Sequence, residues 1–456
     1  MRREGTAPPL IMMRTRLPLL LIIVVYLLLG ALYAVETPPW ETPDEPAHYN
    51  YIAYLMEEGR FPVLQMGDWP NHYLKEIKAA QFPPEMSIAP IRYEFHQPPL
   101  YYLLAAPIYG LARSWPLGQQ VVILRLFSLL QGAVLLSVAY AAIKETFGHF
   151  LALTAVAFMA TVPMHLAMTA AINNDTLGEL VLASVIWLCL LAMKGGWSRG
   201  RALLGGVLLG AAFLTKTTIY APAAAAILVA GLYSWRERKE GLNYLGLIFG
   251  VGLALSSWWF LRNGLVYGGL DIFGWGRHDA IVVGQPTTAE WLSRFGARRV
   301  FVDFLAVSFR SFWAQFGWMG VLVDSRIYTL LFILCLAIAL GLLIRIWRGE
   351  RLSPLQRWSL GLLLIIFLLV FASDLWYNLK FVQHQGRYLF PALISIGVFF
   401  ALGLKEWARL LSSAISPSSP KLSSDLAEWI AFSGFYALLV LLDLVCLYGF
   451  IVPYFA

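Results

Sequence analysis

Asp44, Glu45 and His48, in the stretch TPDEPAHY (42–49), follow the first apolar run of the chain. Asp44 and His48 are four apart, so on a helix they share a face. Thr42, Pro43 and Asp44 also suit a helix start, where acids favour the first turn, and capping accounts for Glu45 taken alone. As a set, two acids held between prolines beside a membrane span form a rigid site at headgroup depth. A carboxylate there can take a proton from an acceptor hydroxyl. Glu94 and His96 lie in YEFHQPPLYYLL (93–104), which reads as an interfacial helix entered through two prolines. Asp175 sits in AINNDT (171–176), either as a helix cap or within a turn that holds an acceptor or a metal. Lys216 in AAFLTKTTIYAP and Arg262 in WWFLRNGLVYGG stand at the ends of apolar runs, where long cations snorkel to the interface. Arg387, in QHQGRYLFPAL beside Tyr388, opens a helix. The macrodipole disfavours a cation there unless an anion joins it, and arginine with a helix N-terminus is a phosphate-binding combination.

The elements that must carry these residues are membrane helices. The 456 residues are 59% hydrophobic and only 13% charged, against roughly a quarter charged in soluble domains. Mean hydropathy is +0.66. The net charge of +7 comes from short basic clusters between apolar runs, which fits positive-inside topology and not a nucleic-acid partner. Cys189, Cys335 and Cys446 all lie inside apolar runs and give neither a disulfide framework nor metal spacing.

At about 20 residues per span, candidates are 17–35, 125–143, 150–171, 177–193, 202–215, 217–235, 243–261, 327–347, 356–373, 387–404 and 429–453, eleven in all. The short apolar segment 98–112 is expected to lie on the outer face. Only then do MKGGWSRGR (193–201), WRERKEG (235–241), RIWRGERLSPLQR (345–357) and KEWARL (405–410) fall inside together with the arginine-rich N-terminus. The first helix is expected to stay as an uncleaved anchor. Outer loops then cover 36–124 and 262–326, and 412–428 is a Ser/Pro-rich cytoplasmic linker before a last helix within 429–456.

Taken in order, TPDEPAHY, FHQPPLYYLL, RLFSLLQG (125–132) and NND resemble the GT-C superfamily of membrane glycosyltransferases, which includes protein mannosyltransferases, oligosaccharyltransferases and lipid A aminoarabinose transferases. LTKTT, WWFLRN and QGRYLFP are similar to a poorly characterised bacterial branch. The resemblance covers about residues 17–395 and implies an all-α, polytopic bundle spanning 1–411, with interfacial helices in the first outer loop. It implies an inverting transfer of a sugar from a polyprenyl-phosphate donor to a lipid, glycan or protein acceptor, on the extracytoplasmic face of a bacterial inner membrane. Asp44 would be the base or a metal ligand, with Glu45 beside it. Lys216, Arg262, Arg387, His96, Glu94 and Tyr388 would bind the donor and its phosphate. Asp44, His48 and Asp175 would hold a divalent cation, Mg or Mn. Relatives carry two acids where this chain has Asp175 alone. With one span after the linker, acceptor recognition is expected from the membrane domain and its loops, and protein N-glycosylation is not expected.

A transporter or flippase of polyprenyl-linked sugars would also need outer cations and a cavity. It would not need a fixed first-loop carboxylate, and it should carry charges at mid-span. Here Glu179 and Asp443 are the acids within the apolar runs. A lipid-binding scaffold without turnover is the third class.

Overall fold

Apolar runs long enough to cross a bilayer satisfy their backbone groups internally as helices, and helices make up nearly all of the regular structure. The computed structural model describes residues 9–239, 241–415 and 422–456. In order, the helices are α1 (Pro9–Glu36), α2 (Glu45–Glu58), α3 (Asn71–Ala79), α4 (Leu100–Ala112), α5 (Leu117–Phe147), α6 (His149–Ala160), α7 (Pro163–Thr169), α8 (Asp175–Gly195), α9 (Arg199–Phe213) and α10 (Tyr220–Arg238). There follow α11 (Leu242–Tyr267), α12 (Trp275–Ile281), α13 (Thr288–Phe295), α14 (Ala297–Trp313), α15 (Ser325–Trp347), α16 (Pro354–Lys380), α17 (Leu393–Ile415), α18 (Leu422–Cys446) and α19 (Val452–Phe455). A two-stranded ribbon pairs β1 (Gln315–Phe316) antiparallel with β2 (Val321–Leu322).

Nine helices among the described residues are long and apolar enough to cross a membrane, ten if the bent pair α6 and α7 counts as one. That pair, read from sequence as one span at 150–171, is bent by 72°. Pro163 opens α7 without an N–H to continue the ladder. The expected count of eleven rests on α9, whose 15 residues are short of the length needed. α9 packs closely on α11 through its glycines: a Cβ on Gly206 would lie 2.9 Å from the Ile248 carbonyl oxygen. Small residues allow this approach between membrane helices. Of the segment read as a linker, α17 reaches Ile415 and α18 begins at Leu422, while 416–421 lie outside the described residues.

The first loop is a folded platform. α4, with 13 residues, is too short to span. It packs against α2 and α5, and Tyr102 stacks on Tyr51 with ring centroids 3.6 Å apart. One knot fixes this platform to the bundle. Arg125, buried in α5, donates from Nε and Nη2 to both oxygens of Glu45 (2.7 and 2.6 Å) and from Nη1 and Nη2 to the carbonyls of Ala34, Thr37 and Pro38.

Candidate active site

Asp44 is the residue before α2, with a left-handed backbone at φ 68°. Asp and Asn accept that conformation more readily than most residues, yet it still costs energy. Its Oδ1 accepts from the Tyr93 hydroxyl at 2.7 Å, and its Oδ2 accepts from Arg387 Nη2 at 2.6 Å. Burial would raise its pKa, but the charge and hydrogen bond of Arg387, with the Tyr93 bond, outweigh this and hold it at about 2. Arg387 lies in a 3-10 turn, Gly386–Ala392, that leads into α17. Its Nε donates to Gln385 Oε1 at 2.6 Å, and its Nη1 faces the Met168 sulfur at 3.9 Å. The anion expected beside this arginine is thus, in the protein itself, Asp44.

Asp44 and Arg387 line a cavity of about 300 Å³ together with His48, Glu94, His96, Asp175, Lys216 and Tyr388. Five scattered sequence segments therefore meet at one place. Asp175 opens α8, but capping falls to Asn173, whose Oδ1 accepts from the Asp175 amide at 3.0 Å. The Asp175 carboxylate is left to bind Lys216, which also donates to Asn174 Oδ1 at 3.2 Å. A third pair at the cavity wall, Lys380 with Asp279, was not singled out in the sequence. Each lining lysine or arginine therefore has an acid partner, whereas Glu94 and Asp374 line the cavity with no cation partner among the described residues. Burial, then the charge of Asp44, pushes Glu94 up to about 7, and its Oε2 is buried with no hydrogen-bond partner.

Several expected roles do not fit. Glu45 lies outside the cavity lining, fully buried against Arg125, and also accepts from the amides of Trp40 and Ile172. With both oxygens engaged it anchors α2 to α5 and the first loop. Arg262 also lies outside the lining: it donates to the Phe61 and Pro62 carbonyls and stacks on Trp259, strapping the first loop to α11. His96 is held neutral, its pKa lowered to about 3 by burial and then by His278. Its Nδ1 lies 3.0 Å from the Tyr93 carbonyl and so carries the proton, leaving Nε2 as an acceptor unsuited to an anion. Glu94 repels a phosphate unless it is protonated. A divalent cation on Asp44, His48 and Asp175 does not fit either. Asp44 is taken by Arg387 and Tyr93, His48 Nδ1 pairs with the Tyr102 hydroxyl at 2.8 Å, and Asp175 holds Lys216. No group of three or more metal-ligating side chains gathers among the described residues.

The fold, a helical bundle with a bent helix pair and a folded first loop over one end, is similar to that of solved structures of ArnT and of an oligosaccharyltransferase. Residues 96–260 match the family described as dolichyl-phosphate-mannose-protein mannosyltransferase. The structure of ArnT from Cupriavidus metallidurans bound to undecaprenyl phosphate is similar at TM-score 0.51 and 16% identity, over 96% of this chain and 73% of that one. The Archaeoglobus fulgidus oligosaccharyltransferase tethered with an acceptor peptide is similar at TM-score 0.54 and 14% identity, over 94% of this chain. AglB from the same organism, in complex with an inhibitory peptide and a dolichol-phosphate, gives 0.52 and 16% over 93%. The chain spans 55% and 56% of the lengths of these two. Compared with curated protein sequences, it shows no significant match.

Proposed function

We propose that the protein transfers a sugar from a polyprenyl-phosphate donor to a hydroxyl of a lipid, glycan or protein acceptor, with inversion, at the extracytoplasmic face of a bacterial inner membrane. The observation that carries this reading is the Asp44–Arg387 pair at the wall of a cavity that continues along α16 from Lys380 to Val370. Those ten residue steps rise about 15 Å along the helix, enough to take a phosphate at the outer end and the first prenyl units below it. The donor phosphate draws Arg387 from Asp44, with Lys216 as the second cation. Asp44, relieved of its countercharge, becomes a stronger base. The acceptor oxygen bonds to the anomeric carbon from the face opposite the phosphate and gives its proton to Asp44. The bond from that carbon to the phosphate oxygen breaks, its electron pair stays on the phosphate, and the cations stabilise the departing charge.

Titration of the purified protein with a short-chain prenyl phosphate tests the donor site. Arg387→Ala should weaken binding by the roughly 1.5–3 kcal/mol typical of a charged hydrogen bond. Arg387→Lys should recover only part, because lysine lacks the planar fork. Equal affinities in all three proteins would overturn the phosphate role. Binding with no transfer to any acceptor would favour the transporter reading.

A further inference from the structure

α13 and α14 form a hairpin, turning at Gly296, that is too short to cross a membrane. Its inner face carries the loop that holds Arg387. The Gly386 amide donates to Ser311 Oγ at 2.7 Å, the Thr288 hydroxyl donates to the Asn378 carbonyl at 2.6 Å, and the rings of Phe304 and Phe312 pack on His384 and Phe390. Its outer face is bare and two-toned. Leu292, Phe295, Phe301, Val302 and Leu305 are exposed, Phe301 to 61%. Phe301 and Leu305 are one turn apart, and Arg298 precedes Phe301 and Val302 on the same face. Arg294, Arg298 and Arg299 are all exposed. Arg299 pairs with Asp303, and Glu290 is taken up in capping α13. Arg298 has neither an ion pair nor a side-chain hydrogen bond among the described residues, although it lies in the first turn of α14, where no acid offsets the dipole. A surface of this kind, on a protein already seated in a bilayer, complements a headgroup layer of net negative charge.

We propose that the outer face of the α13–α14 hairpin is a docking site for anionic phospholipid headgroups, with Phe295, Phe301 and Leu305 among the acyl chains and Arg294 and Arg298 on the phosphates. Lipid held there seats the hairpin against the bilayer and steadies the loop under Arg387. This does not depend on the transferase reading.

A nitroxide at Phe301→Cys, in a Cys335→Ala background, reports the depth of the face in vesicles of phosphatidylcholine with or without phosphatidylglycerol. Cys189 and Cys446 are buried and do not compete for the label. With phosphatidylglycerol the label should collide with oxygen and be shielded from a water-soluble nickel chelate. Arg294→Gln/Arg298→Gln should lower the docked-to-undocked ratio by roughly 30-fold, about fivefold for each arginine. These residues are exposed, so the melting temperature should not move. Nickel access in both vesicle types would overturn the site. Equal shielding in both, unchanged by the arginine variant, would overturn its anionic selectivity. Dipolar broadening between labels would show that a second copy covers the face instead.

Discussion

Replacing Arg125 by methionine is expected to cost the fold about 3–5 kcal/mol, the usual consequence of removing one partner of a buried ion pair. Methionine fills the volume of the arginine stem but supplies no donor. Glu45, with no exposed surface, would keep only the Trp40 and Ile172 amides at 3.0 and 3.2 Å. The carbonyls of Ala34, Thr37 and Pro38 would lose their guanidinium donor as well. Glu45→Gln should also destabilise, since it strands the arginine's charge. The double variant Glu45→Gln/Arg125→Met should recover a large part of the loss, because no buried charge is left. In a Cys335→Ala background the buried thiols of Cys189 and Cys446 give the assay: a thiol-reactive fluorophore reaches them only as the detergent-solubilised protein unfolds on heating. An Arg125→Met protein that melts as wild type, with losses confined to prenyl-phosphate binding, would refute this reasoning and return Glu45 to the reacting set.

Asp44→Asn keeps the Tyr93 contact but removes the countercharge of Arg387. It should bind a short-chain prenyl phosphate at least as tightly as wild type while transfer falls by roughly 10²–10⁴-fold, measured by titration and by turnover with a competent donor. Gly386→Ala places a Cβ 2.1 Å from the Ser308 carbonyl oxygen. The Arg387 loop must shift, and binding should weaken with Arg387 still present, read by the same titration. Glu94, held at about 7 chiefly by burial, is neutral below that pH and charged above it. Its charged form repels an anion, so affinity should fall as pH rises through about 7, and Glu94→Gln should remove this part of the pH dependence.

Much of this arrangement is legible in the chain. The apolar runs define the helices, and residues that begin or end them (Asp44, Asp175, Lys216, Arg387) do meet, because helix ends are where a bundle presents polar groups. That Glu45 would fall outside the cavity was not legible because its partner stands 80 positions away. The signal was present in RLFSLLQG, where an arginine entering a span calls for a buried acid. Arg262 looks like Lys216 from sequence, since both end apolar runs; only the path of the first loop past Pro62 separates them. The bend between α6 and α7 was marked by Pro163. Asp279, Lys380 and Asp374 carry no local pattern and become visible only when α12 and the C-terminal end of α16 come together around the cavity.

The paired lining of the cavity bears on how a reaction there would end. Every lysine and arginine at the wall has its own acid, so an anion held there would displace one of these pairs. On the proposed reading a spent prenyl phosphate would compete with Asp44 for Arg387, and once Asp44 had shed the proton taken from the acceptor, that competition would favour expulsion. The same contact that opposes donor entry would thus act as an ejector, trading affinity for turnover.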